Sequence, residues 1–138
     1  MIQKFIVIDD NQVNNLLCTY IIEDTYPKSV VKTFLEAEEA LCFIKTEYAA
    51  SEGIEADTIL FLDINMPIMD GWQFLEAYDL LDENVKNSIE IYMLSSSIDQ
   101  RDIDHAANNK YALSFFGKPL TDEIVTGLVK KEDYEIGN

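Results

Sequence analysis

The sequence is short of basic residues: 10 Lys and Arg stand against 26 Asp and Glu, a formal net charge of -16 over 138 residues. A surface this negative repels a phosphate backbone and an anionic bilayer. Direct nucleic-acid or membrane binding is therefore not expected, and basic protein patches or divalent cations are better partners. No run approaches the ~18 consecutive apolar residues of a membrane span. The amino terminus enters an apolar stretch directly after Gln3 and Lys4, without the pattern of a cleaved leader, so a cytoplasmic protein is expected. The two cysteines, Cys18 and Cys42, lack metal-ligand spacing and fall in helical patterns beside apolar residues, so both are expected as buried free thiols. The one histidine, His105, lies in a polar segment with no second ligand nearby in sequence and is expected at the surface. No repeat, low-complexity tract or linker divides the chain, and 48% hydrophobic residues over this length suit one domain with its own core.

What is present is an alternation of two periodicities. Phe5 to Ile8, Ser29 to Phe34, Thr58 to Leu62, Ile89 to Leu94 and Ala112 to Phe116 read as strands, the first and third as continuous apolar runs suited to a sheet covered on both faces. Between them lie amphipathic helical patterns: Val13, Leu16, Leu17, Tyr20 and Ile21; Ala37, Ala40, Leu41, Ile44 and Tyr48; Phe74, Leu75, Tyr78 and Leu81; and Leu120, Ile124, Val125, Leu128 and Val129. The stretch Asp82 to Ser88 is polar and reads as a connection. Asp99 to Asn109, the fourth helix, has only Ile103, Ala106 and Ala107 for an apolar face, which predicts a loosely held or partner-facing element. Trp72 should help pack the start of the third helix, and the charged tail from Lys130 should fray. Five strands alternating with five helices predict an α/β fold, a doubly wound parallel sheet with helices on both faces.

Every residue with chemical potential follows directly on a strand: Asp9 and Asp10, Asp63, Ser95 and Lys118. The carboxyl ends of parallel strands share one edge, so these residues can meet there. Three carboxylates on one edge repel by roughly 4 kcal/mol per pair at about 4 Å and an effective dielectric near 20. They must stay apart, share a proton or enclose a cation. A hard divalent ion such as Mg²⁺ suits the last arrangement, a lysine there suits a phosphoryl oxygen, and a serine hydroxyl can donate to another. Together these parts describe phosphoryl transfer onto a carboxylate.

Four stretches in order, each at a strand end, resemble the receiver domains of two-component response regulators: Ile8-Asp9-Asp10-Asn11; Leu62-Asp63-Ile64-Asn65-Met66-Pro67 with Asp70-Gly71; Leu94-Ser95-Ser96; and Phe115-Phe116-Gly117-Lys118-Pro119. The resemblance runs from Phe5 to Val129. It implies a CheY-like, flavodoxin-like strand order 2-1-3-4-5 and a stand-alone receiver over residues 1–138 with no output domain, a switch rather than an enzyme with its own substrate. It implies that Asp63 accepts a phosphoryl group from a sensor histidine kinase or a histidine phosphotransfer protein. Mg²⁺ would be held by Asp9, Asp10, Asp63 and the backbone carbonyl of Asn65, with Lys118 and Ser95 meeting the phosphoryl group. It also implies that Phe115 turns inward on phosphorylation, and that a downstream protein reads the face of the fourth helix, fifth strand and fifth helix. Departures from the common pattern are Ser95 for threonine, Phe115 for tyrosine, and Ser96 for alanine, which narrows access to Asp63.

Other functions fit the residues less well. A flavodoxin-like electron carrier needs a hydroxyl- and glycine-rich phosphate loop after the first strand, where this chain has Asp10-Asn11-Gln12-Val13-Asn14. A phosphatase of the haloacid dehalogenase class needs a second aspartate two residues after the nucleophile, where Asn65 stands. A receiver fold serving as a constitutive binding module remains a third reading.

Overall fold

The structure is a computed structural model that describes the backbone of residues 1–137 and the side chains of residues 1–130; the tail expected to fray lies outside the residues described with their side chains. Within it the elements follow in the order β1 (Lys4–Ile8), α1 (Gln12–Thr25), β2 (Val30–Phe34), α2 (Ala37–Glu47), β3 (Thr58–Leu62), α3 (Gly71–Tyr78), α4 (Glu83–Lys86), β4 (Ile89–Ser95), α5 (Gln100–Ala107), β5 (Ala112–Gly117) and α6 (Asp122–Gly137). All four strand pairings are parallel, in the order β2-β1-β3-β4-β5.

Burial follows position in that order. Every residue of β3 is buried and β1 is buried from Phe5 onward, whereas the outer strands β2 and β5 are half exposed. Alternation along the central strands then splits the core in two. Ile6, Ile8, Leu60, Leu62, Ile91 and Met93 face Ala40 and Ile44 of α2 and Phe74, Leu75 and Tyr78 of α3. Phe5, Val7, Ile59, Phe61, Tyr92 and Leu94 face Cys18 and Ile22 of α1 and Val125, Leu128 and Val129 of α6. No helix among the described residues is long and apolar enough to cross a membrane.

Three expectations are corrected. The stripe Val13, Leu16, Leu17 and Tyr20 does not face the core: all four side chains are exposed, and α1 buries Asn15, Cys18 and Ile22 on its opposite side. The rotation is set by polar anchors in the first turns. Asn11 caps the helix by accepting from the Asn14 amide, and the Asn15 side chain donates to the carbonyls of Asp9 (3.0 Å) and Phe34 (3.3 Å) at the ends of β1 and β2. With those bonds made, the aliphatic stripe can only point outward. Second, Cys42 is exposed while Cys18 is buried, since α2 turns Ala40 and Ile44 to the sheet. Third, the polar stretch after α3 contains a sixth helix, the short α4. Val85 is its one buried residue, and the Tyr78 hydroxyl donates to the Lys86 carbonyl at 3.3 Å.

Candidate functional site

Parallel pairing brings the ends of β1, β3, β4 and β5 to one edge, and the backbone fixes their relative heights. The Asp63 amide donates to the Ile8 carbonyl at 2.9 Å, and the Lys118 amide to the Ser95 carbonyl at 2.9 Å. The loop after Asp63 is held close by glycine. A side chain at Gly71 would place its Cβ 2.7 Å from the Asp63 carbonyl oxygen, and the Gly71 amide donates to the Ile64 carbonyl at 2.8 Å. Asp70 then caps α3 with a reciprocal bond to Gln73.

Asp9, Asp10 and Asp63 each offer a carboxylate oxygen within 4.8 Å of the others. Asp9 is 2% exposed and Asp63 6%, while Asp10 stands open at the rim. Asp9 is held on all sides: its Oδ1 accepts from the Asn11 amide at 2.8 Å, and its Oδ2 accepts from Asn14 Nδ2 at 2.7 Å and lies 2.6 Å from Lys118 Nζ. Asp63 is held less, with Lys118 Nζ at 3.4 Å from its Oδ1. Among the described residues Lys118 is the one cation paired with either carboxylate.

The charge balance shows in the titration of these groups. Burial, then the carboxylate of Asp9, push the Asp63 carboxyl up to about 6; Lys118 opposes the shift and Asp10 adds to it. Burial pulls the Lys118 ammonium down, but its bond to Asp9 and the charges of Asp63 and Asp9 outweigh it, so its pKa stands above the ordinary lysine value. One ammonium thus compensates two buried carboxylates incompletely. That shortfall, with three hard oxygen donors converging, fits a divalent cation of the Mg²⁺ kind.

The remaining candidates lie at the margin of this cluster. Ser95 is 1% exposed, but its hydroxyl is engaged by its own loop: it donates to the Ser97 carbonyl at 2.9 Å and accepts from the Ser97 amide at 3.2 Å. Ser96 is exposed at the rim, as is Asn65, two residues past Asp63. Phe115 is partly buried and packs against the core on the α2 and α3 side, while its neighbour Phe116 packs on the opposite side, 6.0 Å between ring centroids from Tyr92. Reasoning from sequence missed Asn14. The spacing Asp9, Asn11, Asn14 was its signal, since a cap residue and one three positions on share the first turn of a helix with whatever ends the strand before it.

The family model of the response regulator receiver domain matches residues 5–130. The chain belongs to that family. Receiver domains are signalling modules of two-component systems, and the order β2-β1-β3-β4-β5 expected from the resemblance is the one found. The receiver is similar to a solved response regulator receiver protein of Dyadobacter fermentans, with 27% identity and a TM-score of 0.81 over 94% of this chain and 96% of that one. A two-component response regulator of Cytophaga hutchinsonii is similar to the same degree, with 28% identity, a TM-score of 0.81 and the same coverage. Stress response regulator protein 1 of Lodderomyces elongisporus is 26% identical over 119 residues, which make up 85% of this chain and 29% of that protein. The receiver thus spans less than a third of that longer relative.

Proposed function

We propose that this receiver is a phosphorylation switch in which Asp63 accepts a phosphoryl group from phosphohistidine on a sensor kinase or a histidine phosphotransfer protein. The observation that carries the reading is the convergence of Asp9, Asp10, Asp63 and Lys118 on one sheet edge. A carboxylate oxygen of Asp63 forms the new bond to phosphorus as the phosphorus–nitrogen bond breaks, and the imidazole departs with the electron pair of that bond. Asp9, Asp10, Asp63 and the Asn65 carbonyl would hold Mg²⁺, which would supply offsetting charge to the transferring oxygens. Lys118, placed between Asp9 and Asp63, pairs with the same oxygens. Asn14 and the Asn11 amide keep Asp9 oriented while Lys118 shifts its weight from carboxylate to phosphoryl group.

Once formed, the phosphoaspartate presents roughly 1.5 to 2 negative charges and three strong acceptors. Ser95 can donate to it only by giving up its bond to the Ser97 carbonyl, which draws the loop before α5 inward. Phe115 then turns inward, and the face of α5, β5 and α6 changes shape for a downstream protein. The outward stripe of α1 supports docking of a protein donor, since Val13, Leu16, Leu17 and Tyr20 lie just beyond Asp10. The net charge of -16 supports protein rather than nucleic-acid partners in a cytoplasmic setting.

Intact mass after incubation with a small acyl phosphate tests the reading. The protein should gain one phosphoryl group with Mg²⁺ and none in EDTA, and Asp63→Asn should gain none. Equal uptake by Asp63→Asn would refute it, and no uptake where another receiver is modified would favour a constitutive binding module.

A further inference from the structure

A route from the site to α5 can be followed residue by residue. All residues of α5 are described and none is buried; even Ile103 is 49% exposed. The helix lies beside β5, and what ties it to α3 is Trp72, the second residue of that helix. Its indole Nε1 donates to Asp102 Oδ1 at 3.2 Å, and its ring meets His105 edge-on, with centroids 4.9 Å apart and planes at 87°. The Asp102 carboxylate has a second duty. Its Oδ2 accepts from the Asp99 amide at 3.3 Å while Asp99 Oδ1 accepts from the Asp102 amide at 3.0 Å, the reciprocal pair that caps α5. One carboxylate therefore closes the cap of α5 and ties that cap to α3.

Both ends of this tie lead back to Asp63. On one side, Trp72 follows Gly71, which is packed against the Asp63 and Ile64 backbone and bonded to Ile64. On the other, Asp99 lies two residues beyond Ser97, whose amide and carbonyl are both bound to the Ser95 hydroxyl. The α3 side is fixed by the buried Phe74, Leu75 and Tyr78, whereas the α5 side has no buried anchor. A pull on Ser95 is thus resolved at the weaker end, the indole–carboxylate bond.

We propose that Trp72 is the positioning residue that latches α5 to α3, and that occupation of the Asp63 site opens this latch by drawing the Ser95–Ser97 loop away. The proposal rests on the phosphoryl-acceptor reading of Asp63 and names the element that reading leaves unassigned: the joint at which α5 is released. Coupling of this kind requires an element with two arrangements that the site biases, and the tie between Trp72 and Asp102 is that element.

Amide hydrogen exchange of residues 98–109 tests it, in the parent, Trp72→Phe and His105→Ala, with and without Mg²⁺ and a small acyl phosphate. Intact mass of the same samples reports phosphoryl uptake. Without donor, α5 should exchange about tenfold faster in Trp72→Phe than in the parent, and about threefold faster in His105→Ala, with α2 unchanged in both. Donor should speed α5 exchange in the parent by a similar factor and shift Trp72 emission, yet add little in Trp72→Phe although that variant takes up the same phosphoryl mass. A merely structural tryptophan would leave the donor effect as large in the variant as in the parent, and that result overturns the proposal. So does α5 exchange in unmodified Trp72→Phe equal to that of the parent. If neither protein gains mass, the phosphoryl-acceptor reading has failed; fast exchange in Trp72→Phe would then show a tether with no regulatory role, and the proposal falls with the reading.

Discussion

Buried polar groups gather at both ends of this sheet, and the two gatherings are constructed differently. At the amino end the Tyr48 hydroxyl lies 2.6 Å from Thr58 Oγ1, which donates to Asp57 Oδ1 at 2.7 Å. Nearby, Ser51 is bonded to Ser88, Ser88 donates to the Asn84 carbonyl at 2.8 Å, and Asn84 donates to the Ser51 carbonyl at 2.7 Å. Each donor meets an acceptor, and the single charge, on Asp57, opens to solvent beside Lys4. At the carboxyl end two buried carboxylates share one lysine, with a third carboxylate at the rim beside them. Neutral pairing stabilises a fold at little risk, whereas like charges brought together out of water oppose folding until something neutralises them. The difference marks the carboxyl edge as the less favourable of the two for folding.

Removing the lysine should have the largest effect. Lys118→Ala leaves Asp9 and Asp63 buried without a cation and should lower metal-free stability by about 3 kcal/mol, read as a fall in the urea midpoint at pH 8. Mg²⁺ should restore part of it. At the other end Thr58→Val strands the Tyr48 hydroxyl and should cost about 1–2 kcal/mol, with phosphoryl uptake by Asp63 unaltered within twofold. Loss of uptake in Thr58→Val would show that the two ends are not independent.

The carboxyl end also carries a pH signature. The Asp63 carboxyl titrates near 6 in the folded chain against 3.8 for the ordinary group, so the folded state binds the proton more tightly between those values. Its contribution to stability is therefore present below about pH 4 and lost as pH rises through about 6. Solvent at the mouth of the site reduces the effect to about 1–2 kcal/mol. Asp63→Asn should lack this fall, and the difference between parent and variant stability from pH 4 to 8 measures it. Equal pH profiles would show Asp63 to be fully compensated by Lys118.

The helices give a second contrast, with a smaller expected effect. Of the α2 stripe Ala37, Ala40, Ile44 and Tyr48 are buried and Leu41 partly so, whereas of the α1 stripe Val13, Leu16, Leu17 and Tyr20 are exposed and Ile21 alone packs on the core. Periodicity reports that a segment is helical and two-faced, but not which face meets the sheet. In α1 three asparagines decided it, Asn11 by capping the helix and Asn14 and Asn15 by bonds to Asp9 and Phe34 after β1 and at the end of β2, none of which a hydrophobic pattern encodes. Leu17→Gln should accordingly change stability by less than about 0.5 kcal/mol, where a core leucine would lose several times that.

The alternation of strands and helices and the meeting of the strand ends were legible because an apolar run stops at a carboxylate, a hydroxyl or a lysine; the strand order 2-1-3-4-5 came only from the resemblance. Asp9, Asp63, Ser95 and Lys118 could be placed on one edge from spacing alone, since parallel pairing leaves them no other edge. What spacing could not show was how each side chain is engaged. The Ser95 hydroxyl bonds to Ser97, and Lys118 lies nearer Asp9 than Asp63. The first is a turn within one loop that no hydrophobic pattern encodes, and the second depends on packing between segments distant in sequence. The short α4 was hidden because one buried residue, Val85, makes no periodicity.

The carboxyl edge should be unfavourable only until a cation arrives. Urea unfolding at pH 8 of the parent and Asp63→Asn, in EDTA and in about 10 mM Mg²⁺, measures this directly. Without metal the variant should be the more stable by about 1–2 kcal/mol, and Mg²⁺ should stabilise the parent enough to narrow or reverse that gap while moving the variant less. A parent no less stable than Asp63→Asn in EDTA and indifferent to Mg²⁺ would show the opposite, an edge compensated by Lys118 alone.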